Sequence, residues 1–419
     1  MKIAIIGYGK SGKSAERLLK KSGYTSITVF DDKIDGVRPI YEIDDSFSLF
    51  VPTPGIDVNK LNIDKKRIKS EIDIAYNYLK KHQKVIGVTG TNGKSTITHL
   101  TAQILNNAGF RAIPCGNIGY TFSDAVLENQ EAEVFVVELS SFQIELLSDF
   151  KCCASCISNI TEDHLDRYEN LEVYAQAKLK IINYTRGNIY GLESEILRKL
   201  MPKSTYFIDE NFKNYPVSNV GTLDFGNFCV NTEKFKLFGK HNLVNLAFSL
   251  SLGNCIGDFS GDVTEIIENI TPLSHRCEFA GEVNGIRFIN DSKGTNVDST
   301  LVALKSSKYP TILILGGKDK GGTFEVLANE INEKVTSVIC YGQSMDKIES
   351  QLKGKINADI YKTYPLKEAV ELAYEKGSKD TTVLFSPACA SFDQFKNFEE
   401  RGDYFKQIVK DMERQYARP

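Results

Sequence analysis

The stretch VTGTNGKST, residues 88–96, constrains the fold more than any other part of the chain. The apolar run KVIGV before it reads as a buried strand. STITHLTAQILNNAGF after it carries apolar residues at helical spacing, so the glycines lie on a strand-to-helix turn. A parallel α/β sheet is the natural setting for such a turn, with an anion held at the helix N-terminus. Backbone N–H groups of Gly90, Thr91, Asn92, Gly93 and Lys94 would face phosphate. Lys94 would reach the terminal oxygens, and a hydroxyl of Ser95 or Thr96 would ligate Mg²⁺. The usual spacing G-x-x-x-x-G-K-[ST] would place glycine where Val88 stands, so the turn is a shortened version. A bare glycine-rich turn with a capping Ser is the alternative, but a Lys between Gly and two hydroxyls exceeds what a turn requires.

At 419 residues the chain exceeds what one hydrophobic core supports, and 42% hydrophobic content can fill two or three domains. Charged residues make up 25% with a net charge of −3 and both signs mixed, which argues against a nucleic-acid footprint or a polybasic membrane patch. A small-molecule partner is expected, with no stable membrane insertion, since no apolar run is long enough to span a bilayer. Nine cysteines lack framework spacing and no secretory leader precedes MKIAIIGYG, so a cytoplasmic protein is expected. Cys152, Cys153 and Cys156 lack a second Cys pair or a close His and read as core cysteines.

Strand, glycine turn and helix recur in three blocks, 1–83, 84–272 and 273–419, each expected to hold a mostly parallel sheet. In the first, Gly7, Gly9 and Gly12 follow a strand and Asp31 ends the next one, which fits a dinucleotide fingerprint. A glycine turn at a helix N-terminus also suits any diphosphate, so this block is open to a nucleotide-linked substrate as well as to a redox cofactor.

In the middle block, the strand VFVVE ends in Glu138, and His164 follows another apolar strand in the polar loop TEDHLDRY. With a hydroxyl of the phosphate turn they are candidate Mg²⁺ ligands, although imidazole is an uncommon one; a helix-capping turn is the alternative for the loop. On a helix through LEVYAQAKLKII, Leu171, Tyr174, Ala175, Lys178 and Ile182 share one face while Lys180 points away. Lys178 then either snorkels along apolar surface or is held as a neutral amine able to react with CO₂. Asn242 and Asn245 share a helix face, as surface amides or as readers of an adenine edge. In the last block Asp291, Ser292 and Lys293 follow a strand, where a charged loop can close over phosphate, and GGKDKGG and SPACASFDQF also follow strands.

The order TGTNGKST, VELSSFQIE, NITEDHLDRY, AKLKI, HNLVN, HRCEF, NDSKGTN, GGKDKGG and SPACASFDQFKNFEERG resembles the Mur ligases over nearly the whole chain. The last two motifs are similar to those of the members that take D-glutamate. A folylpolyglutamate synthetase would begin near the phosphate turn, a nicotinamide dehydrogenase would explain only the first block, and an ATP switch leaves Glu138, Lys178 and Asp291 without a purpose.

The resemblance implies a three-domain α/β fold: a Rossmann-like UDP-sugar domain, a central P-loop ATP domain and a Rossmann-like amino-acid domain. It implies a monomer that uses ATP and two Mg²⁺ ions to join D-glutamate to UDP-N-acetylmuramoyl-L-alanine through an acyl phosphate, without nucleic acid. By the same resemblance the UDP-sugar lies against Gly7, Gly9, Gly12, Asp31, Thr53, Pro54 and Gly55, with Asn117 orienting it. ATP is held by residues 90–96, Asn242, Asn245, Arg276, Asp291 and Lys293, and D-glutamate by Lys320, Ser391 and Phe398. Lys94, Glu138, His164 and Lys178 are implied to be catalytic, the metal ligands being Ser95, Glu138, His164 and Lys178 as its carbamate.

Overall fold

Runs of β-branched and aromatic residues bounded by glycine turns become strands, and the helices between them return the chain to the start of the next strand. The computed structural model describes residues 1–163, 167–219, 221–235, 237 and 239–416. It divides into two compact units, Met1–Lys236 with Asn242–Ile270, and Leu237–His241 with Thr271–Pro419.

The first unit contains two parallel sheets. Ile3–Ile6 lies between Ile27–Phe30 and Leu49–Pro52, so the loops after all three strands leave from one edge. The larger sheet runs Ala112–Gly116, Val134–Glu138, Lys84–Thr89, Ala154–Ile157, Ile189–Leu192, Tyr206–Ile208, every neighbouring pair parallel. The strand that feeds the phosphate turn is thus flanked by the strands that precede Leu139 and Ser158. The strand order reverses beside it, which is where open α/β sheets bind ligands. A small sheet of Val217–Asn219, Thr222–Asp224, Phe228–Asn231 and Gly261–Asp262 was not expected from the sequence.

In the second unit, Ile286–Asn290, Thr382–Ala388, Thr311–Gly316, Val335–Tyr341 and Asp359–Thr363 form a parallel sheet, with Glu278–Val283 added antiparallel at one edge. Alternation along the strands buries both faces. Ile312, Ile314, Ile339, Val383 and Phe385 pack with Phe405 and Val409 on one side, and Leu313, Leu315, Val338 and Leu384 with Leu304 and Ile348 on the other. Among the described residues no helix is long and apolar enough to cross a membrane.

Within the first unit the seam between its two sheets is polar. Arg17 forks onto Asp124 at 2.6–3.0 Å, and Asp73 accepts the backbone N–H groups of Ser148, Asp149 and Phe150. Glu71 is the costly member. Its Oε1 accepts the Ser123 N–H at 2.6 Å, whereas Oε2 is buried with no hydrogen-bond partner. Burial, followed by the nearby Asp124 and Asp73, outweighs the Ser123 hydrogen bonds and pushes its carboxyl up from 4.5 to about 7. A raised folded pKa favours folding below the unfolded value, and that stability is lost as pH rises through 7, by about 3 kcal/mol in all. Glu71→Gln is therefore expected to gain on the wild type by about that amount between pH 4.5 and 8. Thermal unfolding across that range checks it, and parallel pH dependences of the two proteins would contradict it.

Candidate active site

The phosphate turn needs its glycines for two reasons at once. Gly90 (φ +140°) and Gly93 (φ +84°) occupy backbone regions that favour glycine. A Cβ on Gly90 would stand 2.0 Å from Ser158 Oγ, and one on Gly93 2.7 Å from Asn245 Oδ1. The turn is held from the neighbouring strand end: Asn159 Oδ1 accepts the N–H groups of Thr91 (3.1 Å) and Asn92 (2.8 Å), and Ser158 Oγ donates to the Asn92 carbonyl. The helix Lys94–Asn107 then starts directly, with Lys94 Nζ folded back onto the Thr91 carbonyl at 2.7 Å. A cation thus lies over backbone amides at a helix N-terminus, an arrangement suited to polyphosphate.

Two hard oxygen groups meet beside it. Ser95 Oγ donates to Glu138 Oε2 at 2.5 Å, and Asn117 Nδ2 donates to Glu138 Oε1 at 2.9 Å. Glu138 is 2% exposed at the end of its strand, and Asn117 is brought to it by a tight turn in which Gly116 (φ +95°) has no room for a Cβ against the Glu138 backbone. Thr96, the other hydroxyl of the turn, is buried. Hydroxyl and carboxylate oxygens are the donor types Mg²⁺ takes. Among the described residues no group of three His, Cys, Asp or Glu side chains gathers to hold a metal. His164 lies outside the described residues.

Lys178 is 2% exposed on the helix Leu171–Leu179, with its Nζ 4.6 Å from the centre of the Tyr174 ring. Burial drives its pKa well below 10.5. The Lys94 ammonium acts in the same direction, and Asp163 and Glu138 oppose both. Lys178 is therefore within electrostatic reach of the phosphate turn and of Glu138. Tyr174 ties the two together, since its hydroxyl lies 3.4 Å from Thr91 Oγ1. Lys180 is exposed, as expected. The expected inward Ile182 is only partly buried, because the helix tightens to 3₁₀ over Lys180–Tyr184 and turns Ile181 inward instead.

Asn242 and Asn245 are buried on the helix Lys240–Gly257, with Asn245 Nδ2 3.3 Å from Asn242 Oδ1. Asn245 also faces Gly93, so this amide borders the phosphate turn.

In the first sheet, Gly7, Asp31 and Thr53 converge at one strand edge. A Cβ on Gly7 (φ +87°) would stand 2.2 Å from Thr53 Oγ1, and one on Gly12 2.2 Å from the Gly7 carbonyl. Asp31 accepts the Tyr8 N–H at 2.6 Å and the Lys33 N–H at 2.8 Å, which hold its carboxyl below the usual range. Gly9 caps the helix Lys10–Lys21, Pro54 accepts from Arg167 at 3.4 Å, and a Cβ on Gly55 would meet open space.

In the second unit the NDSKG loop is more buried than a loop closing over phosphate from outside would be. Asp291, 1% exposed, accepts Ser386 Oγ at 2.7 Å and the Cys277 N–H at 3.2 Å, and burial raises its pKa against the pull of Arg276. Lys293 is half-buried, its ammonium 5.1 Å from the Phe398 ring centre. Ser391 is buried and Lys320 exposed.

Tyr174 was legible as an inward residue but without a role, and Asn159 and Arg401 were not anticipated from the sequence. Arg401 is fully buried, and its guanidinium donates to the Ser292 hydroxyl and carbonyl and to the Cys389 carbonyl, fastening two loops to one helix. An Asn two residues past an apolar strand, and an Arg in a helix that otherwise buries only apolar residues, were the available signals.

Known proteins resemble this chain along nearly its whole length. Residues 88–253 match the Mur ligase middle domain, and residues 275–389 match the Mur ligase, glutamate ligase domain. The UDP-N-acetylmuramoylalanine–D-glutamate ligase of Caldicellulosiruptor saccharolyticus is 35% identical, over 98% of this chain and 99% of its own. The protein of that name from Francisella tularensis subsp. holarctica is 36% identical, over 98% of this chain and 96% of its own. The solved MurF ligase from Thermotoga maritima in complex with ADP has a TM-score of 0.65 at 16% identity, covering 99% of this chain and 95% of that one, which speaks to the fold alone. With relatives at this identity along nearly its whole length, the chain belongs to the Mur ligase family.

Proposed function

We propose that this chain joins D-glutamate to UDP-N-acetylmuramoyl-L-alanine at the expense of ATP, as a cytoplasmic monomer in peptidoglycan precursor synthesis. The observation that carries the reading is Glu138, accepting from both Ser95 and Asn117 beside a turn over which Lys94 is folded. In such a reaction the muramoyl-alanine carboxylate attacks the γ-phosphorus of ATP and ADP leaves. The D-glutamate amine then attacks the acyl carbon, phosphate departs, and loss of a proton leaves an amide.

Negative charge spreads over the phosphoryl oxygens during the first step, and Lys94 with the remaining N–H groups of residues 90–96 would hold it, those of Thr91 and Asn92 being donated to Asn159 instead of facing phosphate as expected. Mg²⁺, as two ions, would act as a Lewis acid there, held by Ser95, Glu138, His164 and the carbamate of Lys178; the oxygen donors present suit it. Asn242 and Asn245 would meet the adenine edge, with Arg276, Asp291 and Lys293 as further ATP contacts. Gly7, Gly9, Gly12, Asp31, Thr53, Pro54, Gly55 and Asn117 would take the UDP-sugar, and Lys320, Ser391 and Phe398 the D-glutamate. We assign these roles to three domains, 1–83, 84–272 and 273–419. Phosphate release from ATP should require both the UDP-sugar and D-glutamate and leave NADH absorbance unchanged. Equal release without either substrate would contradict the reading.

A further inference from the structure

His275 holds a left-handed backbone conformation (φ +62°) although it is not glycine, and it is only 5% exposed. Such a conformation persists where surrounding bonds fix it. Here the His275 N–H donates to Glu278 Oε2 at 2.8 Å, and its carbonyl accepts the Lys293 N–H at 3.1 Å. Asn290, fully buried, fixes the ring. Its Oδ1 accepts the Ser292 N–H at 3.1 Å, and its Nδ2 donates to the Gly402 carbonyl at 3.1 Å. With one backbone donor and one backbone acceptor, the amide has a single satisfied orientation. Its Nδ2 also lies 3.0 Å from His275 Nδ1, so Nδ1 must accept and the ring proton belongs on Nε2, 3.7 Å from Asp403 Oδ1. The C-terminal helix Phe398–Tyr416 presses on this ring, for a Cβ on Gly402 would stand 2.2 Å from Nδ1.

We propose that His275 is a positioning residue, locked by Asn290 as the neutral Nε2–H tautomer, and that it sets the backbone of Lys293 and the first turns of the C-terminal helix for substrate binding. The proposal rests on the assignment of Lys293 and Phe398 to ATP and D-glutamate. Protonation at Nδ1 would turn an N–H toward the Asn290 amide N–H₂. Flipping that amide relieves the clash only by facing N–H₂ to the Ser292 N–H and its oxygen to the Gly402 carbonyl. Either way the Lys293 backbone and the helix lose one of the two anchors they share, Arg401 on Ser292 being the other, and Phe398 shifts with them, because its carbonyl accepts Ser292 Oγ at 2.8 Å. The charged groups around the ring divide. Asp403, Glu278 and Glu399 favour the imidazolium, while burial, the largest influence, and Lys406 oppose it, and the His275 pKa lies below 6.5.

The chain has five histidines, so long-range ¹H–¹⁵N NMR of the full, deuterated protein can read their tautomers individually. One ring, absent from His275→Gln, is expected to show an unprotonated Nδ1 and a protonated Nε2 at neutral pH. Asn290→Asp, with a carboxylate in place of the amide, should move a proton onto Nδ1. In the wild type, KM for D-glutamate should rise as pH falls through this titration, approaching about tenfold per pH unit, with less change in kcat. His275→Gln, whose amide oxygen accepts from Asn290 at every pH, should lack that limb. An Nδ1–H tautomer at neutral pH, or a KM limb unchanged in His275→Gln, would overturn the proposal. A wild type that forms no product would instead sink the ligase reading, and the tautomer measurement would still decide the lock.

Discussion

Lys94→Ala is expected to lower the ligation rate by about two orders of magnitude or more, the scale on which an enzyme loses one preorganised charge contact to its transition state. The reason is local. Lys94 Nζ is folded onto the Thr91 carbonyl, inside the turn whose amides Asn159 holds in place, so the cation is fixed before phosphate arrives. Water filling the vacated space would bring neither the charge nor the fixed position. Because charge builds on the phosphoryl group as it moves, kcat should fall more than KM for ATP rises. Steady-state kinetics separate the two, and activity within a few-fold of the wild type would refute the role.

Lys178→Ala is expected to be comparably damaging, and short-chain carboxylates should restore part of the lost activity. Burial, with Lys94 nearby, favours the neutral amine. A neutral amine adds to CO₂ and sheds a proton, leaving a carbamate anion where an ordinary lysine carries a cation. That anion suits a divalent metal near Glu138 far better than an ammonium would. Because the folded-state pKa is depressed, the reactive amine persists to lower pH than in a free lysine. Carbon-13 NMR of protein equilibrated with ¹³CO₂ should show a carbamate resonance that Lys178→Ala lacks, a readout independent of turnover. Exposed Lys180 provides the control: Lys180→Ala should be nearly silent. Full activity of Lys178→Ala in CO₂-depleted buffer would leave Lys178 as a lysine packed on Tyr174 and nothing more.

The elements that were legible in the sequence are those whose signal is local. The strand Lys84–Thr89 and its glycine turn, the strand ending in Glu138, and the inward Lys178 against the outward Lys180 all follow from period and turn chemistry. What was not legible depends on distant partners. Asp359–Thr363 carries no apolar alternation to mark it, being an edge strand that is half-buried at most and has a lysine as its fourth residue. The antiparallel strand Glu278–Val283 is a strand because Ile286–Asn290 pairs with it, and its own residues are mixed. The 3₁₀ turn that replaces Ile182 by Ile181 is a tertiary override of helical period. Asn159 holds a turn 67 positions away and Arg401 a loop 109 positions away, so spacing could not reveal these roles. In the first block, the glycine fingerprint left the ligand open because it specifies only a close backbone approach, and the structure places Asp31 on backbone N–H groups.

The central claim, D-glutamate addition to a UDP-linked muramoyl-alanine, is tested most directly by mass spectrometry of the product. The full chain would be incubated with ATP, Mg²⁺, UDP-N-acetylmuramoyl-L-alanine and an equal mixture of D-glutamate and isotope-labelled L-glutamate. The account predicts ADP together with a new UDP-linked species heavier by one unlabelled glutamyl residue. ADP without that species, or incorporation of the labelled L-isomer, would contradict it.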